Sequence, residues 1–490
     1  MTRALVALGL AMALAGSAAA ATIRGTAHGG LLRGGPAADL IVGSRSPDRI
    51  AAAFGGRDRV SCGRGRDVVT ADLGDRVAAD CEVVSRRLSV DTFADPQSQH
   101  ETAVEPGSAS FGSTVVSTFQ VGRFHGGGAD DIGFAVSRDA GRTWRRGYLP
   151  GIGRGSDPTV TYDSVHGVWI AASLVIRGDN VSVAANRSTD GLRWSQPIAV
   201  NAGPDTDKEW IACDGGTASP FRGRCYVVFT DDGANRLVSQ SSDDGGLTWG
   251  PPVRVAGPLL GAQPLVRPDG SVVVVAVDAD HQNGPVEAIR STDGGASFGP
   301  PVQIAAQQRH VITGFRAFPL PSAVAASDGT LYVVWHDCRF RPGCSANDLV
   351  LSVSADGLTW SAPSRIALDA ASSGIDHFIP GLAVASASPR RLAVVYAYYP
   401  KAACPRAACR FGIAFASSGD GGATWSRPRP LSVETMPLSW IAATDDGRMI
   451  GDYLATSFAG GRAVSVFALA APPVAGRFRE AIFAASLNAR

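Results

Sequence analysis

The sequence predicts an all-β protein, a ring of repeated sheets of the β-propeller type that is preceded by a short solenoid-like segment. Three observations lead to this prediction: six copies of one turn pattern, apolar runs typical of strands around each copy, and Gly-rich repeats eight to ten residues apart near the N-terminus. Strands repeated around a ring are the signature of a propeller. A chain of 490 residues can form one such ring as a single unit.

The N-terminus has the order of a secretory signal peptide. Arg3 precedes an apolar stretch over residues 4–15, and small residues follow up to Ala21. We therefore predict a signal peptide over residues 1–20 and a linker over residues 21–33. A buried helix is the alternative for this stretch. No later segment has 18 uninterrupted apolar residues, so the mature protein is expected to be secreted, soluble and without a membrane span.

Residues 34–86 form a second repeat region, in which aspartates recur between Gly pairs such as Gly34-Gly35 and Gly55-Gly56. This pattern resembles the nonapeptide β-roll repeats of calcium-binding secreted proteins, in which aspartates supply oxygen ligands. The resemblance implies a possible calcium site, although arginines fill many positions where such a site prefers small or acidic residues. The other interpretation is a short solenoid that requires no cofactor. The metal candidates are Asp39, Asp48, Asp58 and Asp67.

Eight cysteines fall into neighbouring pairs, and an even number in an exported chain indicates disulfides. Local pairing is the simplest connectivity, while binding of a metal by these thiols is a weaker alternative because no Cys-x-x-Cys occurs. The expected pairs are Cys62 with Cys81, Cys213 with Cys225, Cys338 with Cys344, and Cys404 with Cys409.

The six repeated turns share a Ser-x-Asp-Gly core that ends in an aromatic residue, with one copy having Ala in place of the first Gly. The Asp side chain can accept hydrogen bonds from the amides of the turn, and Gly supplies a positive φ. Apolar runs on both sides of each turn predict strands. The six copies span residues 137–144, 188–194, 242–249, 291–298, 354–360 and 418–425.

These turns resemble the Asp boxes, or bacterial neuraminidase repeats, of the sialidase superfamily, and the resemblance covers about residues 92–488. It implies four-stranded blades, with each box between the third and fourth strands. Three more predicted strands follow the last box, near residues 449–458, 463–469 and 480–487. We predict that they form a seventh blade closed by a strand near residues 87–92, so that the propeller spans residues 87–490. A six-bladed ring is the alternative.

Chemically unusual residues cluster in the loops that such a ring places on the face opposite the boxes, where a binding site is expected. The resemblance implies a tyrosine nucleophile with a glutamate base, an aspartate acid, and three arginines that clamp a carboxylate. Asp130 and Asp131 are alternatives for the acid. The catalytic candidates are Glu209, Tyr453, Asp337 and Asp207; the substrate-binding candidates are Arg316, Arg339, Arg123, Lys208, His377 and Asp452.

One departure from the family pattern affects the predicted function. The family's first arginine belongs to a Phe/Tyr-Arg-Ile-Pro stretch before the first box, but residues 100–106 contain no Arg. A similar stretch, Phe315-Arg316-Ala317-Phe318-Pro319, lies in a different repeat. The clamp for sialic acid is therefore not established by the sequence.

The sequence leaves three functional hypotheses open. The first is a glycoside hydrolase of the exo-sialidase type that acts on extracellular glycans or glycoproteins. The second is a propeller that binds a glycan or a protein at the cell surface without turnover, and the third is an adhesive module attached through its N-terminal repeats. A net charge of +1 and the absence of a basic run argue against nucleic acid as a partner. We expect a monomer.

Overall fold

The computed structural model describes residues 19–201, 203, 205–278 and 284–489. Nearly all of the predicted signal peptide, residues 1–20, therefore lies outside the described residues. The described chain is all-β, and its only helical elements are three 3₁₀ turns: Pro342–Cys344, Arg406–Ala408 and Leu438–Trp440. No helix in the described ranges is long and apolar enough to cross a membrane.

The N-terminal repeats form a two-sheet solenoid of parallel strands. One sheet has the order β1-β3-β5-β7, and the other begins with β2-β4-β6-β8. The solenoid starts earlier than expected, because the segment predicted as a linker contributes β1 and β2. The strands are β1 (Thr22–Arg24), β2 (Gly30–Arg33), β3 (Leu40–Val42), β4 (Asp48–Ala51), β5 (Arg59–Ser61), β6 (Val68–Asp72), β7 (Arg76–Val77) and β8 (Val83–Arg87).

Six antiparallel units of four strands follow. A single bridge between Ala129 and Gly155 joins the first two units into one continuous sheet. The units are β9 (Ser98–Phe111), β10 (Thr114–Phe124), β11 (Ala129–Ser137), β12 (Arg145–Tyr148); β13 (Gly155–Asp163), β14 (Val168–Arg177), β15 (Asn180–Ser188), β16 (Ile198–Asn201); β17 (Thr206–Cys213), β18 (Cys225–Asp231), β19 (Arg236–Ser242), β20 (Val253–Ala256); β21 (Leu259–Val266), β22 (Val272–Asp278), β23 (Val286–Ser291), β24 (Val302–Ala305); β25 (Ser322–Ala325), β26 (Leu331–Asp337), β27 (Asp348–Ser354), β28 (Ser364–Arg365); and β29 (Asp376–Ala385), β30 (Ser388–Tyr399), β31 (Arg410–Ser418), β32 (Arg429–Pro430).

The C-terminal strands join the solenoid to the ring. The order β8-β38-β37-β36 makes β8 the outer neighbour of three antiparallel C-terminal strands, so one sheet belongs to both parts. The first strands of consecutive units contact one another in chain order, and β36 contacts β9, which closes the ring. The remaining strands are β33 (Met436–Pro437), β34 (Ala442–Thr444), β35 (Gly447–Met449), β36 (Ala455–Ala459), β37 (Arg462–Ala470) and β38 (Glu480–Leu487).

Each of the six repeated turns, called box turns below, connects the third and fourth strands of its unit. In all six, the Ser hydroxyl donates to the Asp carboxylate two residues later. In the last copy the carboxylate of Asp420 also accepts the hydroxyl and the amide of Thr424, and these bonds lower the pKa of Asp420 to about 2. The box turns are thus held by their own side chains, as the sequence pattern predicts.

The apolar core is divided among the interfaces between neighbouring sheets. Trp335, which is fully buried, belongs to a cluster between the fourth and fifth units, and Tyr396 belongs to the cluster between the fifth and sixth. All four expected cysteine pairs form disulfides. The ring is therefore a rigid frame of packed sheets, and it places the first strand of each unit on the axis.

Candidate functional site

The first strands carry β-bulges at the same level around the axis. The strand register shifts between Ser156 and Thr159 in β13 and between Asp207 and Trp210 in β17. Three charged residues, at these two bulges and at the register shift of β9 against β10, have a positive φ: 54° at Glu105, 49° at Asp157 and 54° at Lys208. A bulge re-aims a side chain, and non-Gly residues in this region cost of order 1–3 kcal/mol.

Five charged side chains meet beside these bulges, and we call them the axial cluster: Glu105, Asp157, Lys208, Arg316 and Asp452. The Lys208 ammonium lies at the centre and is only 6% exposed. Its Nζ lies 2.9 Å from Asp157 Oδ2, 2.6 Å from Asp452 Oδ2 and 3.8 Å from Glu105 Oε1. Three units of the ring and the segment that precedes β36 therefore contribute to one buried polar cluster.

Arg316 completes the pairing of Asp452 from the link that precedes the fifth unit. Its Nε and Nη2 donate to the two carboxylate oxygens at 2.8 Å each, a bidentate geometry. On its outer side, Arg316 Nη1 lies 3.5 Å from the exposed Asp446. Burial disfavours ionisation of Asp452, but Lys208 and Arg316 outweigh it and hold its pKa below the ordinary range. Asp452 is therefore ionised.

Glu105 has the opposite protonation state. Burial and the nearby Asp157 carboxylate raise the pKa of Glu105 to about 8, so it is mainly neutral at pH 7. Its oxygens accept the Asp452 amide at 3.2 Å and the side-chain amide of Gln120. With Glu105 neutral, two cations face two ionised carboxylates, and the buried cluster has no net charge. A buried set of charges needs this neutrality, because an uncompensated buried charge is strongly destabilising.

Glu209, Trp210 and Tyr453 form a pocket beside the axial cluster. In the described structure neither carboxylate oxygen of Glu209 has a hydrogen-bond partner, and burial raises the pKa of this carboxyl well above its usual range. The Tyr453 hydroxyl donates weakly to Pro158 O at 3.5 Å, and its ring meets Trp210 edge-on at 5.1 Å. Lys208 and Asp452 also line this pocket, which has space for about one water molecule.

A much larger cavity of about 810 Å³ opens along the axis on the side of the box turns. Small residues of the first strands line it, including Ala109, Ala212, Ala325 and Ala385. Trp210 borders both this axial cavity and the pocket of Glu209. This cavity lies on the box side of the ring, and a second cavity of about 630 Å³, lined by Ser156, Thr206 and Asp207, lies on the opposite face, where the sequence placed the candidate residues.

The structure brings six of the predicted site residues to one place. Glu209, Tyr453, Lys208, Asp452 and Arg316 lie in the axial cluster or its pocket. Asp207 precedes Lys208 on β17, and burial raises the pKa of its carboxyl to about 6.

The remaining candidates are separate from this site. Arg123 donates to Gly128 O at 2.9 Å and to the Gln120 side chain at 3.3 Å, so it touches the cluster only through Gln120. Arg339 donates to both carboxylate oxygens of Asp337, from Nε at 2.8 Å and from Nη2 at 2.7 Å. His377 lies against Asn347 O at 3.2 Å.

The three arginines proposed for a carboxylate clamp therefore do not converge. Arg316 and Arg339 are each engaged by an aspartate of the protein, and Arg123 is engaged by a backbone carbonyl. Their guanidinium groups are not jointly free to bind an acidic sugar.

Two members of the axial cluster, Glu105 and Asp157, were missed as site residues by the sequence analysis. Both precede a proline at matching places in the first two repeats, Glu105-Pro106 and Asp157-Pro158. That repeated acidic-Pro dipeptide is the signal that could have found them.

The proposed metal residues of the solenoid contact backbone amides. Asp58 Oδ1 accepts the amide of Asp39 at 2.7 Å, and Asp67 Oδ1 accepts that of Asp48 at 2.7 Å, one coil away in each case. Asp39 and Asp48 accept the amides of Gly35 and Ser44 in their own turns. Within the described ranges, these four carboxylates do not gather into a group of three possible metal ligands.

Comparisons with known proteins agree with the architecture. No protein-family model and no curated protein matches the chain. An ulvan lyase of polysaccharide lyase family PL25 is similar in structure with a TM-score of 0.50 and 10% identity, over 80% of this chain and 96% of that one.

Two more distant structures are a Hadza microbial sialidase (TM-score 0.43, 16% identity, 78% and 74% of the chains) and a Penicillium chrysogenum α-L-arabinanase complexed with arabinobiose (TM-score 0.43, 18% identity, 64% and 93%). At these identities the likeness concerns the fold alone.

Proposed function

We propose that this chain is a glycoside hydrolase with Glu209 as its proton donor. The observation that carries the proposal is the opposite tuning of two carboxyl groups that line one pocket: Glu209 is kept protonated by burial, and Asp452 is kept ionised by Lys208 and Arg316. Pairs of carboxyl groups with separated pKa values are the pattern of acid and base roles in glycosidases. The glycan-active proteins among the structural neighbours are compatible with this proposal.

In this mechanism the Glu209 carboxyl gives its proton to the glycosidic oxygen as the bond to the leaving group breaks. The ionised carboxylate of Asp452 stabilises the positive charge that develops on the sugar. Water then forms the new bond to the anomeric carbon and gives a proton to the Glu209 carboxylate, which restores the acid. Trp210 lies between the axial cavity and Glu209, where its ring can stack against a sugar that enters along the axis. An opening of the pocket around Trp210 is required, because the space beside Glu209 holds about one water molecule.

The exo-sialidase form of the hypothesis assigns attack on the sugar to Tyr453, with Glu209 as its base. The two side chains do line the same pocket. Burial, however, raises the pKa of both groups, so the pair stays protonated and Glu209 is better suited to donate a proton than to accept one. The occupied arginines also favour a neutral sugar over an acidic one.

The second candidate is a propeller that binds glycans without turnover. It is favoured by the small size of the Glu209 pocket next to a wide cavity lined by small side chains. Under this proposal the axial cluster is only a structural element that ties the sheets together.

We further propose that the ring has seven blades and that the six box turns are Asp boxes. Strands β36–β38 with β8 occupy the place of one more four-stranded blade, and the first strands contact one another in a closed order. Secretion is proposed on the N-terminal sequence and is compatible with four disulfides.

The test is release of a fluorogenic leaving group from aryl glycosides of neutral sugars and from α-sialosides, using the disulfide-intact protein. Glu209→Gln has the shape of the protonated acid but cannot give up a proton, so kcat should fall about 10²-fold or more. Glu287→Gln, on a third strand away from the axis, is the matched control and should keep full activity.

Three outcomes decide between the candidates. Full activity of Glu209→Gln would exclude this site. Turnover of α-sialosides alone, lost in Tyr453→Phe, would instead establish the exo-sialidase form. Binding of oligosaccharides without turnover of any substrate would leave the binding propeller.

A further inference from the structure

The solenoid exposes arginines and buries its acids. Between Ala21 and Glu82 the chain has nine Arg against eight Asp and Glu, which is nearly neutral. The fold separates the two signs. All nine arginines are exposed, whereas six of the eight acids are buried. The exposed acids are Asp80 and Glu82.

The inward position of the acids has a structural cause. Their carboxylates accept backbone amides, as in the 2.9 Å bond from the Asp58 amide to Asp75 Oδ1 and the 2.6 Å bond from the Asp72 amide to Asp75 Oδ2. Asp80 is likewise engaged, by the amides of Cys62 and Gly63 at 3.2 and 2.8 Å. The carboxylates therefore accept hydrogen bonds from the backbone amides of the coils, and they are not arranged as partners for the arginines.

Six of the exposed arginines lie on the sheet that contains β5 and β7 or in the turns that flank it, and we call this set the arginine face: Arg45, Arg57, Arg59, Arg64, Arg66 and Arg76. Arg59 and Arg76 are register partners on the neighbouring parallel strands β5 and β7, which places them about 4.8 Å apart. Arg45 and Arg64 lie on turns that stack, since the Arg64 amide donates to Ser44 O at 3.0 Å. Among the described residues, none of these six arginines forms an ion pair within 4.0 Å.

We propose that the arginine face is a docking surface for an anionic polysaccharide, one with regularly spaced carboxylate or sulfate groups. Guanidinium groups bind such oxyanions in a bidentate manner, and strand spacing repeats them at intervals that suit a polymer. The surface is distinct from the axial site. It is attached rigidly to the ring, because β8 pairs with β38 and Ser85 Oγ donates to Leu431 O at 2.9 Å.

Nucleic acid fits this surface less well than a polysaccharide does. Single strands are usually held by stacking of bases on aromatic side chains, and duplexes by a helix or ribbon that enters a groove. The only aromatic residue between Ala21 and Glu82 is Phe54, which lies under Arg87 and Arg479 and packs on Phe483. The described solenoid consists of parallel strands in two sheets and contains no helix.

The test measures binding of the full chain to heparin, polygalacturonate and neutral dextran over a range of salt concentrations. The variant Arg59→Gln/Arg64→Gln/Arg76→Gln should bind the two anionic polymers about tenfold more weakly or worse, with a shallower dependence on salt. The matched control, Arg142→Gln/Arg193→Gln/Arg427→Gln, removes three exposed arginines in or next to box turns and should bind like the unmodified protein.

A triple Arg→Lys variant at the same three positions should bind with a strength between those of the unmodified protein and the Gln variant, since it keeps the charge but loses the bidentate guanidinium geometry. An unchanged melting temperature shows that the Gln variant is folded. Equal binding of the anionic polymers by the Gln variant and the control would overturn the proposal. Binding of dextran as strong as that of the anionic polymers would overturn it as well. Tighter binding of duplex DNA or anionic lipid vesicles than of either polysaccharide would also overturn it and identify a different class of partner.

Discussion

The axial cluster and the solenoid both bury carboxyl groups, but they stabilise them in different ways. On the axis, Asp157 and Asp452 are paired with Lys208 and Arg316, and the partners Lys208 and Asp452 are 244 residues apart in the chain. In the solenoid, Asp58 accepts an amide from a residue 19 positions earlier, one coil away. Cations from distant parts of the chain stabilise the axial carboxylates, whereas backbone amides of the neighbouring coil stabilise those of the solenoid.

This difference has a consequence for each region. The axial pairs connect units that are distant in sequence, so their loss should destabilise closure of the ring. The solenoid contacts repeat along the chain, so each contributes little, and they leave the arginines of that segment free for solvent or a ligand. Loss of an axial ion pair should therefore destabilise the protein more than loss of a single solenoid contact.

The largest effect is expected from removal of the central cation. Lys208→Met keeps much of the side-chain volume but leaves Asp157 and Asp452 without it, and an uncompensated buried charge costs about 3–5 kcal/mol. Denaturant unfolding measures this loss. The chain has only one other lysine, the exposed Lys401, and Lys401→Met should change the free energy of unfolding by less than about 0.5 kcal/mol. A loss as small as that of the control would mean that the cluster is not a set of stabilising ion pairs.

A smaller effect is expected in the solenoid. Asp58→Ala leaves the buried amide of Asp39 without its acceptor, which costs about 1–3 kcal/mol. Asp58→Asn keeps one acceptor oxygen, so it should lose less. Thermal unfolding of the unmodified protein and the two variants gives the order of their stabilities. An equal loss of stability in both variants would contradict a role of Asp58 as hydrogen-bond acceptor.

The same proteins test whether calcium is needed. If amides satisfy the carboxylates, millimolar calcium should not change the melting temperature. A rise in the unmodified protein that is lost in Asp58→Asn would show that the solenoid binds the metal after all.

The smallest effect concerns pH. The pKa of Glu105 is raised to about 8 from an ordinary value of 4.5, so its protonated form favours the folded state. The contribution is fully present below pH 4.5 and is lost as the pH rises through about 8. Unfolding free energy should therefore fall by roughly 1 kcal/mol between pH 7 and pH 9. In Glu105→Gln this fall should be reduced, and an unchanged slope would assign the pH dependence to another group.

Much of the scaffold could be predicted because its causes are local. The Ser and Asp of each box turn bond within a few residues, as in the 2.8 Å contact from Ser242 Oγ to Asp244, so the pattern is visible in the sequence. The disulfides join cysteines 5 to 19 residues apart, which made their pairing accessible as well. Clustering of Glu209 with Tyr453 was expected from the resemblance to sialidases, and both line one pocket.

The candidate site was harder to predict because its partners come from different units. Arg316 was expected to bind substrate, but its guanidinium chelates Asp452. Asp337 and Arg339 pair with each other away from the axis. Which charges meet depends on the bulges at Glu105, Asp157 and Lys208, and a one-residue change of register is not visible in a single sequence.

The sequence by itself determined the all-β character, the six box turns and the pairing of the cysteines, because these follow from strand periodicity, turn chemistry and short chain separations. Only the tertiary structure decided which charged side chains face the interior and which face solvent. It turned the solenoid aspartates inward to the amides of the next coil and left the arginines outside. It also gathered five charges from distant repeats on one axis, because the net effect of a charge depends on burial and on its neighbours in space.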